Sequence, residues 1–525
     1  MNLRIVARQL SVVAWLIGLT MLFSISAAWP EIGGQSEFED HGFWALLASM
    51  VVCGITGLML RMASGESNST LYRKEAMAVV GLSWVLATVL GGLPFYFAEV
   101  IYTSVDGREI PMGIADCLFE SQSGFSTTGA TVLTDIENHK WVPRSILFWR
   151  SSTHFLGGLG IIVLFVAILG QGSAGKALMR AEMPGPSKEG SQERMQHAAW
   201  NFAAIYCVLN LILTIILYLE GMTWFQAICH AFGTMATGGF STLNASLGGF
   251  NSKTIEYTVI VFMILAGTNF TLIYLLTLGK FKKLVTDPEW RTYVGILAVA
   301  TALVIIVGIF ESHDFDPQDK LTAVPEFELA FRDGLFQVVS IMTTTGYCTA
   351  DFDLWNNFSR GLLVVLMFIG GCAGSTGGGM KVIRIILFTK ILGREVEHSY
   401  HPSVVRHIRL AGEPVTDQNI PHNILVYVGL IGAIIVTSWL ALTWIELDQT
   451  WIEAGHPTHN KLIDSGTAVC ATLHNIGPGL GIVGATRNYA PFSDSAKLLF
   501  TLLMMLGRLE LFAVLVLVMP SFWRD

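Results

Sequence analysis

Four short glycine-centred segments recur along this chain, each flanked by apolar runs long enough to cross a lipid bilayer. They read STTGAT at Ser126–Thr131, MATGGF at Met235–Phe240, TTTGYC at Thr343–Cys348 and HNIGPG at His474–Gly479. Aligning their glycines pairs Gly129, Gly238, Gly346 and Gly477, at separations of 109, 108 and 131 residues. A near-constant period marks a repeated architecture. Each glycine follows a short apolar piece, about residues 113–125, 223–235, 328–342 and 463–474. These pieces are too short to cross about 30 Å of hydrocarbon and too apolar for ordinary loops. They are expected to be half-length re-entrant helices. Irregular backbone at membrane depth is tolerated only where it is buried in protein or lines a wet cavity.

Composition agrees with a membrane protein. Of 525 residues, 52% are hydrophobic and 14% charged, against about 25% charged in soluble domains. The mean hydropathy is +0.55. Ten spans are expected, at 8–29, 41–61, 76–98, 145–170, 198–219, 255–279, 292–310, 360–383, 422–445 and 495–519. Trp and Tyr such as Trp84, Trp149, Tyr218 and Tyr427 mark span ends. The N-terminal run resembles a signal peptide, but it is long enough to span and is read as an uncleaved helix. With the N-terminus inside, most basic residues fall inside too, among them Arg4, Arg8, Arg61, Arg73, Lys74, Lys282, Lys283, Arg384 and Arg394. The positive-inside rule therefore places both termini in the cytoplasm. The outer loops are acidic, with Glu31, Glu37, Glu39 and Asp40 in one and Glu311, Asp314, Asp316 and Asp319 in another. The seven cysteines have no metal-ligand spacing. No Walker loop, dinucleotide fingerprint or HExxH is present, and no conventional catalytic cluster argues for an enzyme.

The repeat unit is a long helix, a short helix with its loop, then a second long helix. A short helix entering from outside aims its negative C-terminal end at the bilayer centre, which favours a cation there. Glycine lets successive carbonyls face one axis. Ser126, Thr127, Thr128, Thr237, Thr344 and Thr345 add small hydroxyls, and the four loops contain no carboxylate. Carbonyl rings without carboxylates suit a monovalent ion, whereas divalent sites want charged oxygens. The candidate ion-coordinating positions are Thr127, Thr128, Gly129, Ala236, Thr237, Gly238, Thr344, Thr345, Gly346, Asn475, Ile476 and Gly477. His474 is expected to donate to backbone behind the ring.

The eighth span carries ten consecutive small residues, Gly370, Gly371, Cys372, Ala373, Gly374, Ser375, Thr376, Gly377, Gly378 and Gly379. With each glycine costing roughly 1 kcal/mol in a helix, a loop is expected here. It ends without the GK[ST] of a phosphate loop. Arg508, in the last span, is an intramembrane charge and hence a functional candidate. Glu510 lies two residues on, on another helix face. Lys381 is expected to reach the cytoplasmic side, and Arg150 to tie its span to a neighbouring loop.

These loops, the stretch GGCAGSTGGGMKVIRI at Gly370–Ile385 and MLGRLELF at Met505–Phe512 resemble the Trk/Ktr/HKT superfamily of potassium transporters. The similarity covers nearly the whole chain. Two extra spans before the first repeat match the bacterial TrkH type rather than the shorter KtrB type. The resemblance implies an all-α polytopic fold: four membrane-pore-membrane repeats around one pore, plus two N-terminal helices. The divisions expected are 1–70 for those helices, then repeats at 71–172, 173–284, 285–400 and 401–525. It further implies a homodimer with one pore per chain, in contact with membrane lipid and not with nucleic acid. A TrkA-type nucleotide-binding subunit would regulate it from the cytoplasm, docking on segments such as 171–197 and 384–421. By the same resemblance the glycine-rich loop obstructs the pore from below, and Arg508 acts with it as an electrostatic gate. Serine at the first-loop glycine accompanies sodium preference in plant relatives; Gly129 here implies potassium. The expected function is potassium uptake across the bacterial inner membrane, with proton- or sodium-coupled symport as the alternative, or a sodium-permeable relative.

Overall fold

A computed structural model describes residues 1–34, 37–65, 72–105, 107–160, 192–309, 326–402, 409–410, 413–414, 419–509 and 511–524. Two helices open the chain, α1 (Leu3–Ile25) and α2 (Asp40–Ser64). The first unit follows: α3 (Arg73–Phe97), a small antiparallel hairpin of β1 (Ile101–Val105) and β2 (Arg108–Pro111), the short α4 (Ile114–Phe125) and α5 (Arg144–Leu159). The second has α6 (Gln192–Leu219), the short α7 (Trp224–Met235) and a broken pair, α8 (Lys253–Ala266) and α9 (Phe270–Thr277). The third has α10 (Pro288–Val307), the short α11 (Glu326–Met342), α12 (Asn357–Met367) and α13 (Val382–Tyr400). The fourth has α14 (Asn419–Ile445), the short α15 (Lys461–Leu473), α16 (Asp494–Arg508) and α17 (Phe512–Val518).

The starts of these helices are written locally. Thr223 and Gln226 form a reciprocal capping box at α7. Asp116 caps α4 by accepting from the Gly113 N–H at 2.9 Å. Pro288 stands at the first turn of α10 behind the capping residue Asp287. The short helices are apolar and end where the glycine loops begin.

Among the described residues, six helices cross by length and composition: α1, α2, α3, α6, α10 and α14. The α8–α9 pair, bent by 105°, makes a seventh. The other three expected spans are not single helices. α5 stops before Gly160, and the rest of that span, like the acidic loop at 311–319 and Glu510, lies outside the described residues. The eighth stops at Met367 and resumes at Val382, and the tenth breaks at Leu509–Leu511. The breaks in the sixth and tenth spans were not expected from sequence. Gly267–Asn269 is only three residues long, and Leu511, at φ +51°, is an apolar residue with no breaker signature.

Each short helix packs on the long helices before and after it, and also on the second long helix of the preceding unit. Thus α4 touches α16, α7 touches α5, α11 touches α8 and α15 touches α12. The sequence of units closes into a ring. α1 and α2 pack on each other and on α3, beside the first unit.

Buried ion pairs hold the ring together. Arg150 on α5 meets Glu120 on α4 at 2.6 Å. Lys497 on α16 meets Asp116 on α4 at 2.6 Å, joining the fourth unit to the first. Arg332 on α11 meets Glu256 on α8 at 2.7 Å, joining the third to the second. Removing one partner leaves a buried charge uncompensated, at a cost of about 3–5 kcal/mol, whereas an apolar pair of similar volume is often tolerated. Lys497→Met should therefore lower the thermal midpoint of the detergent-purified protein by several degrees, read by tryptophan fluorescence. Lys497→Met with Asp116→Leu should recover most of the loss. A single variant as stable as the parent would remove this pair as a staple.

Candidate functional site

The four short helices end in one repeated backbone turn. Thr127, Thr237, Thr344 and Asn475 all adopt left-handed angles, with φ of 53°, 55°, 61° and 56°. Two residues later comes a glycine with positive φ: Gly129 at 79°, Gly239 at 77°, Gly346 at 79° and Gly477 at 97°. Non-glycine residues rarely enter this region, so four such turns at corresponding positions reflect one imposed geometry.

That geometry corrects the alignment of the second loop. Sequence paired Gly238 with Gly129, but the backbone pairs Gly239. Gly238 instead matches Thr128, Thr345 and Ile476, and Ala236 matches Ser126, Thr343 and His474. The hydrogen bonds agree: the N–H groups of Thr128, Gly238, Thr345 and Ile476 each donate to the carbonyl five residues back. Two adjacent glycines left both registers open in the sequence. The feature common to all four loops is Thr or Asn two residues before a glycine, and reading it that way selects Gly239.

The loops close on one another in cyclic order. A Cβ on Gly129 would lie 2.1 Å from the Gly238 carbonyl oxygen. One on Gly239 would lie 2.1 Å from that of Thr345, and one on Gly346 2.0 Å from that of Ile476. One on Gly477 would lie 2.7 Å from that of Thr128. All four glycines line a single cavity. Among the described residues, no donor reaches the carbonyls of Thr127, Thr128, Thr237, Thr344, Thr345, Asn475 and Ile476, while the His154 ring lies beside Gly238. Buried carbonyls are normally paired, so this ring of acceptors is arranged for something other than protein.

Most side chains behind the ring bond protein groups, while Thr127 Oγ1, His474 Nε2 and Asn475 Oδ1 have no hydrogen-bond partner among the described residues. The hydroxyls of Ser126 and Thr128 share a bond of 2.7 Å, as do those of Thr343 and Thr345. Ser123 donates to the Ala130 carbonyl at 2.6 Å and Ser340 to that of Tyr347 at 2.7 Å. The Asn475 amide donates to Thr128 Oγ1 at 3.0 Å and to the Met504 carbonyl at 2.9 Å. His474 Nδ1 bonds the Cys470 carbonyl at 3.0 Å, as expected of a backbone-bonded histidine. Arg150 does reach a neighbouring loop, donating to the Ser241 carbonyl at 3.3 Å with its guanidinium 3.4 Å from the Phe240 ring centre. His154, missed in the sequence, bridges the first two units between the Gly124 carbonyl at 2.8 Å and the Phe240 N–H at 3.2 Å. Its position in an apolar helix gave no signal.

Inward of the ring lies the glycine-rich loop. Gly378 donates its N–H to Thr344 Oγ1 at 2.7 Å. A Cβ on Gly378 would lie 2.8 Å from the His474 carbonyl oxygen, and one on Gly377 3.0 Å from that of Thr343. Gly370 and Gly371 pair with the returning backbone at Met380 and Val382. Ser375 hydrogen-bonds back to Cys372 at 2.6 Å. Arg508 donates to the Thr376 carbonyl at 2.7 Å and to the Gly157 carbonyl of α5 at 2.7 Å. Lys381 does not reach out to the cytoplasmic side as expected. It is buried and donates to the Gly377 carbonyl at 2.5 Å. Gly374, Gly377, Gly378, Gly379 and Arg508 line one inner cavity with Lys381 and Arg384. The loop therefore lies between the inner cavity and the ring, held by two cationic side chains on adjacent carbonyls. Among the described residues, no group of three or more His, Cys, Asp or Glu side chains could hold a metal ion.

This arrangement has known relatives. The TrkH protein of Escherichia coli K12, a Trk system potassium uptake protein, is 34% identical over 528 residues, covering 100% of both chains. TrkG of the same organism, also a Trk system potassium uptake protein, is 28% identical over 531 residues, covering 100% of this chain and 99% of its own. The crystal structure of the potassium transporter TrkH from Vibrio parahaemolyticus superposes with a TM-score of 0.81 at 31% identity, covering 100% of both chains. The family described as TrkH, cation transport protein, matches residues 44–524. On a full-length match in sequence and in fold, this chain belongs to the TrkH family of cation transport proteins.

Proposed function

We propose that this chain is a potassium uptake subunit of a bacterial inner membrane, with both termini cytoplasmic, and not an enzyme. The observation that carries the reading is the closed ring of four glycine turns with seven buried carbonyls that no donor among the described residues satisfies. A dehydrated potassium ion supplies the missing partner. Loop carbonyls replace its water, and the absence of carboxylates in the loops favours a monovalent over a divalent cation. The ring positions are Thr127, Thr128 and Gly129; Thr237, Gly238 and Gly239; Thr344, Thr345 and Gly346; Asn475, Ile476 and Gly477. The Gly370–Gly379 loop is the gate, and Arg508 places a positive charge in the passage below the ring. The relatives' description as parts of a Trk system supports a cytoplasmic nucleotide-binding partner of the TrkA type. A homodimer with one pore per chain fits the same family. Potassium flux with and without a pH gradient separates a channel from a coupled symporter.

The ring makes a selectivity prediction. Gly129→Ser adds a Cβ where the Gly238 carbonyl oxygen stands 2.1 Å away, on a backbone at φ +79°. That carbonyl must shift. The ratio of potassium to sodium flux in proteoliposomes should fall on the order of tenfold, equivalent to ~1.4 kcal/mol of relative binding. Gly239→Ser should do the same through the Thr345 carbonyl. Unchanged ratios in both folded variants would exclude these glycines from ion discrimination.

The gate makes a second prediction, on basal flux with no regulatory subunit present. Arg508→Ala removes a positive charge from a poorly screened passage and frees the Thr376 carbonyl, so flux should rise. Deleting several residues between Gly370 and Gly379 should raise it too. Acting on one gate, the two changes should combine far less than additively. Reduced flux in both variants, with normal insertion, would make the loop and the arginine structural instead.

A further inference from the structure

We infer that Glu289 is the anchor of the intramembrane loop, a positioning residue whose carboxylate holds the loop's two arms together and so fixes where its tip lies under the ring. This rests on the reading of the loop as a gate and adds a residue from outside it. Glu289 stands in the first turn of α10 and is 8% exposed. Burying a carboxylate is costly unless donors surround it. Here one oxygen, Oε1, accepts from the Ala373 N–H at 2.7 Å and from the Ile383 N–H at 3.0 Å. The two donors lie on opposite arms of the loop. Ile383 is in the first turn of α13, where helix N–H groups have no partner within the helix. The carboxylate therefore caps α13 and clamps the outgoing arm in a single contact, with both bonds charge-assisted.

The loop divides into a neck and a tip. In the neck, Gly370 donates to the Met380 carbonyl at 2.5 Å and Val382 to that of Gly371 at 3.1 Å, a short ladder that the Glu289 clamp completes. The first arm is further held by the break between α8 and α9: Cys372 donates to the Gly267 carbonyl at 2.8 Å and Phe270 to that of Gly374 at 3.0 Å. Glu289 ties the returning arm to the first. The tip makes the contacts that set the gate, from Gly378 to Thr344, from Arg508 to Thr376, and from the Thr376 N–H and hydroxyl to the Ala266 carbonyl at the end of α8. Opening then breaks the tip contacts while the neck stays folded, and the loop swings as a preformed hairpin.

The test is potassium flux into proteoliposomes holding the full chain and no other protein. Glu289→Ala removes the acceptor and should raise basal flux at least about tenfold, as expected for losing a clamp of more than ~1.4 kcal/mol. Glu289→Gln keeps a side-chain oxygen for the same two N–H groups and should stay near the parent. Arg508→Ala in the same vesicles reports on the gate itself. If Arg508→Ala leaks and Glu289→Ala does not, the anchor is wrong and the gate stands. If neither leaks, the gate reading fails and the anchor with it. If Glu289→Gln leaks as much as Glu289→Ala, the charge and not the clamp matters, which also overturns the inference. A measurement on the unmutated chain covers the case in which Glu289→Ala does not insert. Hydrogen exchange should be slower for amides at 370–373 and 380–383 than at 374–379; equal rates across the loop would sink the neck.

Discussion

A buried backbone carbonyl without a donor is the constraint on which this molecule is built. Inside a membrane such a group has neither water nor a helix to satisfy it. Among the described residues the chain gathers seven of them into one ring of loops, at the ends of four short helices. Every other feature near the axis serves to make that arrangement stable. Glycines at Gly129, Gly239, Gly346 and Gly477 are required because each packs against the next loop's carbonyl, where a Cβ has no room. The hydroxyls of Ser126, Thr128, Thr343 and Thr345 satisfy one another and not the axis. The loop carbonyls are the acceptors left over among the described residues.

Holding such a ring open against collapse takes rigid support behind it. The support is charged: Arg150 with Glu120, Lys497 with Asp116, and Arg332 with Glu256, all largely shielded from solvent. Buried pairs of this kind contribute little net stability over apolar residues. What they add is register, since each fixes one helix against another at a single height. Two of the three join successive units. Arg150 also lies over Phe240, so the first unit's charge pair locates the second unit's loop.

The inner half follows different rules. Long helices that could cross unbroken stop short in three units among the described residues: α8 at Ala266, α12 at Met367 and α16 at Arg508. The breaks meet one another. The third unit's loop bonds the second unit's break through Cys372 and Gly267, and Arg508 spans the third and first units through Thr376 and Gly157. Main chain of the Gly370–Gly379 loop and the Arg508 guanidinium thus stand together beside the ring. Lys381 reinforces this by turning back onto the Gly377 carbonyl.

Much of this was legible in the sequence because it depends on local chemistry. Apolar length sets the spans, half-length apolar pieces set the short helices, and ten small residues in a row forbid a helix at Gly370–Gly379. The likeness to a known transporter family was carried by the same residues. What the sequence left undetermined has a common cause: it depends on contacts between segments far apart in the chain. Gly238 and Gly239 are equivalent as letters, and only the neighbouring Thr345 carbonyl makes Gly239 the ring glycine. Lys381 reads as a snorkelling lysine until the loop's returning backbone gives it an acceptor inside. The sequence assigned Glu289 no role, and α13 and Ala373 give it one. The sequence by itself determined the unbroken long helices, the four short ones and the non-helical stretch at Gly370–Gly379, since those follow from transfer free energy and backbone propensity; the breaks after α8 and α16 it did not. Only the tertiary structure decided register and partner, because a hydrogen bond needs its acceptor in place before the donor's role exists.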